Sequence, residues 1–188
     1  MRCHDAGTLS LPRSVVAIGA FDGVHRGHQT VIGNAVDSAR RHSCPAVVYT
    51  FNIPPKAVFS GARVLTDAVE KVFRIGVLGP EHCVLAHFDR DYAARPAEAF
   101  LYELAALHPI EIWVGEDFRF GAGREGDVAL LTKRFPVRPI GTVRCNNGEI
   151  ISSTRIRSLL EAGDDSGAER LLGWIGSRRE TGDLYQDV

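Results

Sequence analysis

Short β-branched runs alternate along this chain with longer segments of helical period, and that alternation is what most restricts its fold. Strands separated by helices cannot pair through tight turns. Each helix must cross over the sheet, so the strands come out parallel with helices packed on the sheet faces. Val15-Val16-Ala17-Ile18 is the first strand. After a Gly-rich turn, Val31, Ile32, Ala35, Val36 and Ala39 recur at helical spacing, which predicts an amphipathic helix from about Gly27 to His42. Ala46 to Phe51 is a second strand, stopped by Pro54 and Pro55, and Thr66-Asp67 caps a helix that runs to about Leu78. Cys83 to Ala86 reads as a strand, Pro96 opens a helix through Leu107, and Ile110 to Val114 is the next strand. Helices are expected at 128–135, 155–162 and 168–172, and extended segments at 137–140, 143–145 and 150–151 around an Asn147-Gly148 turn. The expected architecture is α/β, a mostly parallel sheet flanked by helices. One domain covers 15–176, with short tails at 1–14 and 177–188.

Lys and Arg number 22 against 23 Asp and Glu, for a net charge of −1. A surface for nucleic acid or anionic membrane normally concentrates cations on one face, so any phosphate recognition here must be local. Cys3, Cys44, Cys83 and Cys145 are scattered without a Cys-x-x-Cys pair, which indicates reduced thiols rather than a disulfide framework or zinc site. No stretch approaches the roughly 20 apolar residues that span a bilayer, and the N-terminus has no apolar leader core. A cytoplasmic protein is expected.

Three clusters could carry chemistry. The densest runs from Gly19 to His28 between the first strand and the first helix, where helix N-termini present unpaired N–H groups to anions. Gly23 and Gly27 let backbone approach a phosphate, and His25 and His28, three apart, can face one polyphosphate. The same residues would also suit a plain turn with surface histidines, or two ligands of a zinc site that lacks a third. The second cluster is Ile151 to Arg157, a Ser/Thr-capped helix start with two arginines that point apart. By itself it equally describes an ordinary helix cap. The third, Gly115 to Asp127, is rich in glycine and follows a strand. Phe118 and Phe120 could stack on a planar ring while Asp117 accepts from its N–H groups, or either Phe could be core.

With all three clusters in this order, the chain resembles the FMN adenylyltransferase (FAD synthetase) module of bacterial bifunctional riboflavin kinase/FAD synthetases, in the nucleotidyltransferase superfamily. His25-Arg26-Gly27-His28 stands at the superfamily's His-x-Gly-His motif, and Ile151 to Arg157 matches its Ile-Ser-Ser-Thr-x-x-Arg motif. The resemblance implies a Rossmann-like nucleotidyltransferase fold and transfer of AMP from ATP to FMN, giving FAD and pyrophosphate. It implies catalytic roles for His25, His28 and Arg157. It places ATP against Gly19, Phe21, Asp22, Gly23, Gly27, Ser153 and Thr154, and the flavin against Pro55, Phe59, Asp117 and Phe120. Mg²⁺ would be held mainly by substrate phosphates, with no dedicated protein metal site. Where the family usually has an acidic residue and Pro-His-Pro, this chain has Asn52-Ile53-Pro54-Pro55. Two alternatives therefore stay open: a different phosphorylated acceptor, or a flavin- or nucleotide-binding module without catalysis. The resemblance stops before any riboflavin kinase barrel, so a separate riboflavin kinase is the expected partner that supplies FMN.

Overall fold

The alternation of Val15, Val16, Ala17 and Ile18 between two apolar neighbourhoods decides the architecture. In a strand, successive side chains face opposite sides, so an uninterrupted apolar run requires cover on both. In the computed structural model, which describes residues 1–145 and 147–174, strand β2 (Ser14–Ile18) is buried along its whole length. Val16 and Ile18 enter one core with Val47, Tyr49, Ile112, Val114 and the apolar side of α5 (Ala97–Ala105). Val15 and Ala17 enter the other, with Val48 and the Val31, Ile32, Ala35, Val36 and Ala39 stripe of α1 (Arg26–Arg41). Each fully buried Val or Ile of that stripe contributes roughly 1.5–3 kcal/mol.

The sheet has six parallel strands in the order β1-β4-β3-β2-β5-β8, where β1 is Arg2–His4, β3 Ala46–Phe51, β4 His82–Ala86, β5 Pro109–Gly115 and β8 Val137–Ile140. From β2 the chain builds outward through β3 and β4, then returns to lay β5 on the other side of β2. The strand order thus reverses between β2 and β5, and the carboxyl ends of those two strands border a natural crevice. The α/β expectation of a mostly parallel sheet flanked by helices is met.

Several local expectations are corrected. Arg2–His4, read as part of a tail over 1–14, is instead the edge strand, paired in parallel with β4. Pro54-Pro55 ends β3 but also starts a helix, α2 (Pro55–Ser60), because proline at the first helical position loses no hydrogen bond. Val143–Cys145 and Ile150–Ile151 make only one antiparallel bridge, Arg144 to Ile150, rather than two strands. The remaining helices are α3 (Ala68–Val77), α4 (Arg90–Ala93), α6 (Val128–Thr132), α7 (Ser153–Glu161) and α8 (Asp165–Leu172). α8 begins before the expected Ala168 because the Asp164 carboxylate caps it, accepting from the Gly167 N–H at 2.8 Å. The expected tail at 177–188 lies outside the described residues.

Candidate active site

The loop leaving β2 is held in a conformation that most residues avoid. Phe21 and Val24 both have positive φ, 46° and 43°, and Gly23 between them lies at 82°. A β-branched residue in that region is an outlier, and such strain, of order 1–3 kcal/mol per residue, persists only where neighbours enforce it. Here they do so through polar ties. The Gly23 N–H donates to Thr66 Oγ1 at 3.0 Å, and its carbonyl accepts from the Arg74 guanidinium of α3 at 2.9 Å. Gln29 Nε2 and Trp174 Nε1 both donate to the Val24 carbonyl, at 2.9 and 2.8 Å.

Asp22 is the hub of this arrangement and is buried. Its Oδ1 accepts from the N–H groups of Leu65 at 2.9 Å and Thr66 at 3.3 Å, and its Oδ2 pairs with Arg157 of α7. The Ser153 hydroxyl donates to the Asp22 carbonyl at 3.0 Å. Two of the sequence clusters, more than 130 residues apart, are therefore welded at one point. The welding alters the expected role of Arg157. Its Nε donates to the Arg63 carbonyl at 2.6 Å and its Nη2 to Asp22, so much of this guanidinium supports the loop from behind while the side chain borders the crevice. Asp22 is thus engaged on both oxygens while it also borders the crevice. Arg155 turns away to Glu149 and the Ile150 carbonyl.

His25 and His28 come together as the spacing predicts, with rings stacked at a centroid separation of 3.5 Å and 16° between planes. His25 caps α1: its Nδ1 accepts the His28 backbone N–H at 3.3 Å. Neutral His25 therefore carries its proton on Nε2. Burial lowers its pKa to about 4, and burial, then His25, then Lys71 lower that of His28 well below the ordinary histidine range. Near neutral pH both rings are uncharged N–H donors. The Nδ1 of His28 is a buried polar atom without a hydrogen-bond partner among the described residues. Gly27 leaves room beside this stack, since a Cβ there would stand a tight 3.2 Å from the His25 ring.

A cavity of about 410 Å³ opens at the ends of β2 and β5. Gly19, Phe21, Asp22, His25, Gly27 and His28 border it on one side, and Ser153, Thr154 and Arg157 on another. Gly23 is not among its lining residues; it serves the turn. The N-termini of α1 and α7 both lie at this cavity, a favourable place for an anion.

A second cavity of about 650 Å³ adjoins the first, and seven aromatic rings are among the residues that line it. Of the residues expected against a flavin, Pro55, Phe59 and Phe120 border it, whereas Asp117 borders the first cavity. Phe120 is only 8% exposed, packed 5.6 Å from Phe118 and 5.3 Å from Phe100, so it is largely core. Phe59 is 63% exposed and meets Phe88 edge-on, which leaves it open to a planar ligand. Asn52, at the departure from Pro-His-Pro, faces the scaffold: its Oδ1 accepts from the N–H of Ile53 at 2.7 Å and of Phe88 at 2.9 Å. Sequence reasoning missed Lys56, whose ammonium donates to Thr154 Oγ1 at 2.9 Å across 98 residues. It also missed Lys71, fully buried, whose Nζ donates to the Phe51 carbonyl at 2.6 Å and whose pKa burial lowers to about 8. Neither had a local motif that could have revealed it.

Comparison with known proteins adds independent findings. Residues 8–155 match the family model described as FAD synthetase. A Geobacillus thermodenitrificans protein, provisionally named a bifunctional riboflavin kinase/FMN adenylyltransferase, is 55% identical over 175 residues, covering 93% of this chain and 98% of that one. The Escherichia coli K12 protein named bifunctional riboflavin kinase/FMN adenylyltransferase is 37% identical over 180 residues, 90% of this chain. The chain spans only 57% of that relative's length. Among solved structures, a Streptococcus pneumoniae chain described as a macrolide-efflux protein superposes with a TM-score of 0.79 at 28% identity, over 92% of this chain and 70% of that one.

Proposed function

The chain belongs to the FAD synthetase family, and from that premise we propose that it transfers the adenylyl group of ATP to FMN. A phosphate oxygen of FMN forms a bond to the α-phosphorus of ATP, the bond from that phosphorus to the bridging oxygen breaks, and pyrophosphate leaves. The observation that carries the reading is the pair of adjoining cavities, one at two helix N-termini and one walled by aromatic rings. An adenylyl donor and a flavin need such a pair.

The protein's part is positioning and charge stabilisation, since phosphoryl and nucleotidyl transfer need little covalent help. His25 Nε2–H, His28 and the first N–H groups of α1 would face the phosphates as preorganised donors. Their neutrality means they stabilise developing charge by hydrogen bonds rather than by net charge. Arg157 and Asp22 would hold the loop that aims them. Ser153 and Thr154 would bring the N-terminus of α7 to the nucleotide. Magnesium, by neutralising phosphate charge, would ride on substrate oxygens and water, its usual mode. That fits a site whose nearest buried carboxylate, Asp22, already has both oxygens engaged. On this reading the protein works in the cytoplasm, where ATP is available, and receives FMN from a riboflavin kinase.

Incubation of the purified protein with ATP, Mg²⁺ and FMN, followed by chromatography, should show FAD and pyrophosphate in equal amounts. No FAD at any FMN concentration, with another phosphate monoester adenylylated instead, would replace FMN as the acceptor.

A further inference from the structure

The two cavities meet at a neck, and the neck is cationic. Six residues line both cavities: Phe51, Pro55, Lys56, Phe118, Arg119 and Arg124. Three are apolar and three are basic, and none is acidic. All three cations are exposed, and among the described residues no ion pair engages Lys56, Arg119 or Arg124, whereas the buried guanidinium groups of Arg74 and Arg157 are paired with carboxylates. Lys56 stands on α2, steadied by its hydrogen bond to Thr154. Arg119 begins β6 (Arg119–Phe120), and Arg124 stands in the turn that joins it to β7 (Gly126–Asp127), the two strands forming a hairpin.

That hairpin is firmly built. The Ala122 N–H donates to the Arg95 carbonyl at 2.8 Å, and Gly121 lies so close to Ala97 that a Cβ would approach its backbone to 2.8 Å. Arg124 itself is kept at φ 62°, a conformation costly for a residue with a side chain. Its placement is therefore enforced by the fold rather than left to chain preference.

A molecule seated with a planar ring among Phe59, Phe88 and Phe118 and extending to the crevice under α1 passes the residues that the two cavities share. We infer that Lys56, Arg119 and Arg124 form an acceptor-phosphate clamp, which grips the phosphomonoester of the flavin where the two cavities join and distinguishes a phosphorylated from an unphosphorylated acceptor. This rests on the proposed adenylyl transfer for the acceptor's identity, but not for the clamp itself. A dianion passing three unpaired cations gains from each, and the neutral ribityl alcohol of riboflavin gains from none. The clamp also keeps the attacking oxygen aimed at the nucleotide cavity.

The test uses binding of FMN and of riboflavin, both followed by quenching of flavin fluorescence, and of a non-hydrolysable ATP analogue with Mg²⁺, by calorimetry. Lys56→Met, Arg119→Ala and Arg124→Ala are each expected to weaken FMN about tenfold, while riboflavin and the ATP analogue change less than twofold. Arg124→Lys should recover a large part of the loss. Added salt should erode the FMN preference of the wild type but not its affinity for riboflavin. Equal weakening of FMN and riboflavin would make these residues ring contacts or scaffold and overturn the inference. Weakening of the ATP analogue alone would assign the cations to the nucleotide and overturn it as well. If the wild type makes no FAD yet the variants lose their preference for FMN over riboflavin, the clamp stands and the adenylyl-transfer reading fails.

Discussion

At the residue scale, the histidine pair and the Asp22–Arg157 brace make separable claims. Removing a donor that acts mainly on the developing charge lowers kcat and kcat/KM together with little change in KM. His28→Ala should lower turnover roughly 10²–10³-fold, the range for loss of one preorganised donor. If kcat holds while the melting temperature falls, His28 is scaffold. His25 makes a pH prediction. In the unfolded chain its pKa is near 6.5 and in the folded protein burial lowers it to about 4. Between those values the unfolded state binds the proton and the folded state resists it, so stability is full above about pH 6.5 and is lost as pH falls toward 4. His28, displaced in the same direction, adds to the slope. His25→Asn retains a capping oxygen without the titration, and its denaturation midpoint should depend less on pH across that window. Asp22→Asn tests the brace. Losing the carboxylate strands a buried guanidinium, which typically costs about 3–5 kcal/mol. Urea denaturation should show that loss, whereas a purely catalytic Asp22 would leave the midpoint unmoved.

At the element scale, the β6–β7 hairpin carries its own test. Gly121→Ala places a side chain at φ 74° and against the Ala97 backbone, so it must push the hairpin from α5. Its expected signature is weakened flavin binding with ATP-analogue binding unchanged; equal loss of both would mean that the hairpin serves the whole fold. The elements also differ in how openly the sequence announced them. β2 and α1 were legible because their burial is periodic, two-sided for the strand and one-sided for the helix. Arg2-Cys3-His4 carries no such pattern: it is a strand because β4 offers it an open edge, which is a tertiary cause. α2 was hidden behind Pro54-Pro55, whose helix-starting and strand-stopping readings are locally indistinguishable. The His25/His28 stack followed from a three-residue spacing. The Asp22–Arg157 pair and the Lys56–Thr154 contact join residues far apart in sequence and had no local signal. The same gap explains Phe120, legible as an aromatic ring but not as a buried one.

At the scale of the whole molecule, the nucleotide cavity is assembled from parts with unequal support. β2, β3 and β5 sit between two large cores, but α7 and α8 close over a small satellite cluster of Ile151, Ile156, Ala168 and Leu171. Their attachment to the β2–α1 loop is chiefly polar: Arg157 to Asp22, Ser153 to the Asp22 carbonyl, and Gln29 Nε2 to the Leu172 carbonyl at 2.8 Å. A unit with few apolar contacts and polar ties opens at lower free energy than the central sheet. Amide hydrogen exchange of the free protein should therefore be faster in α7 and α8 than in β2, β3 and β5. A nucleotide lying between the N-termini of α1 and α7 would add ties that exist only when the unit is closed, and it must stabilise the closed form in proportion to its preference for it. A saturating ATP analogue with Mg²⁺ should slow exchange in α7 and α8. FMN alone should act mainly on the β6–β7 hairpin and α2. Equal protection of α7 and the central strands in the free protein would show that the C-terminal pair is part of the rigid frame. Slowing of α7 by FMN but not by the nucleotide would reverse the assignment of the two cavities.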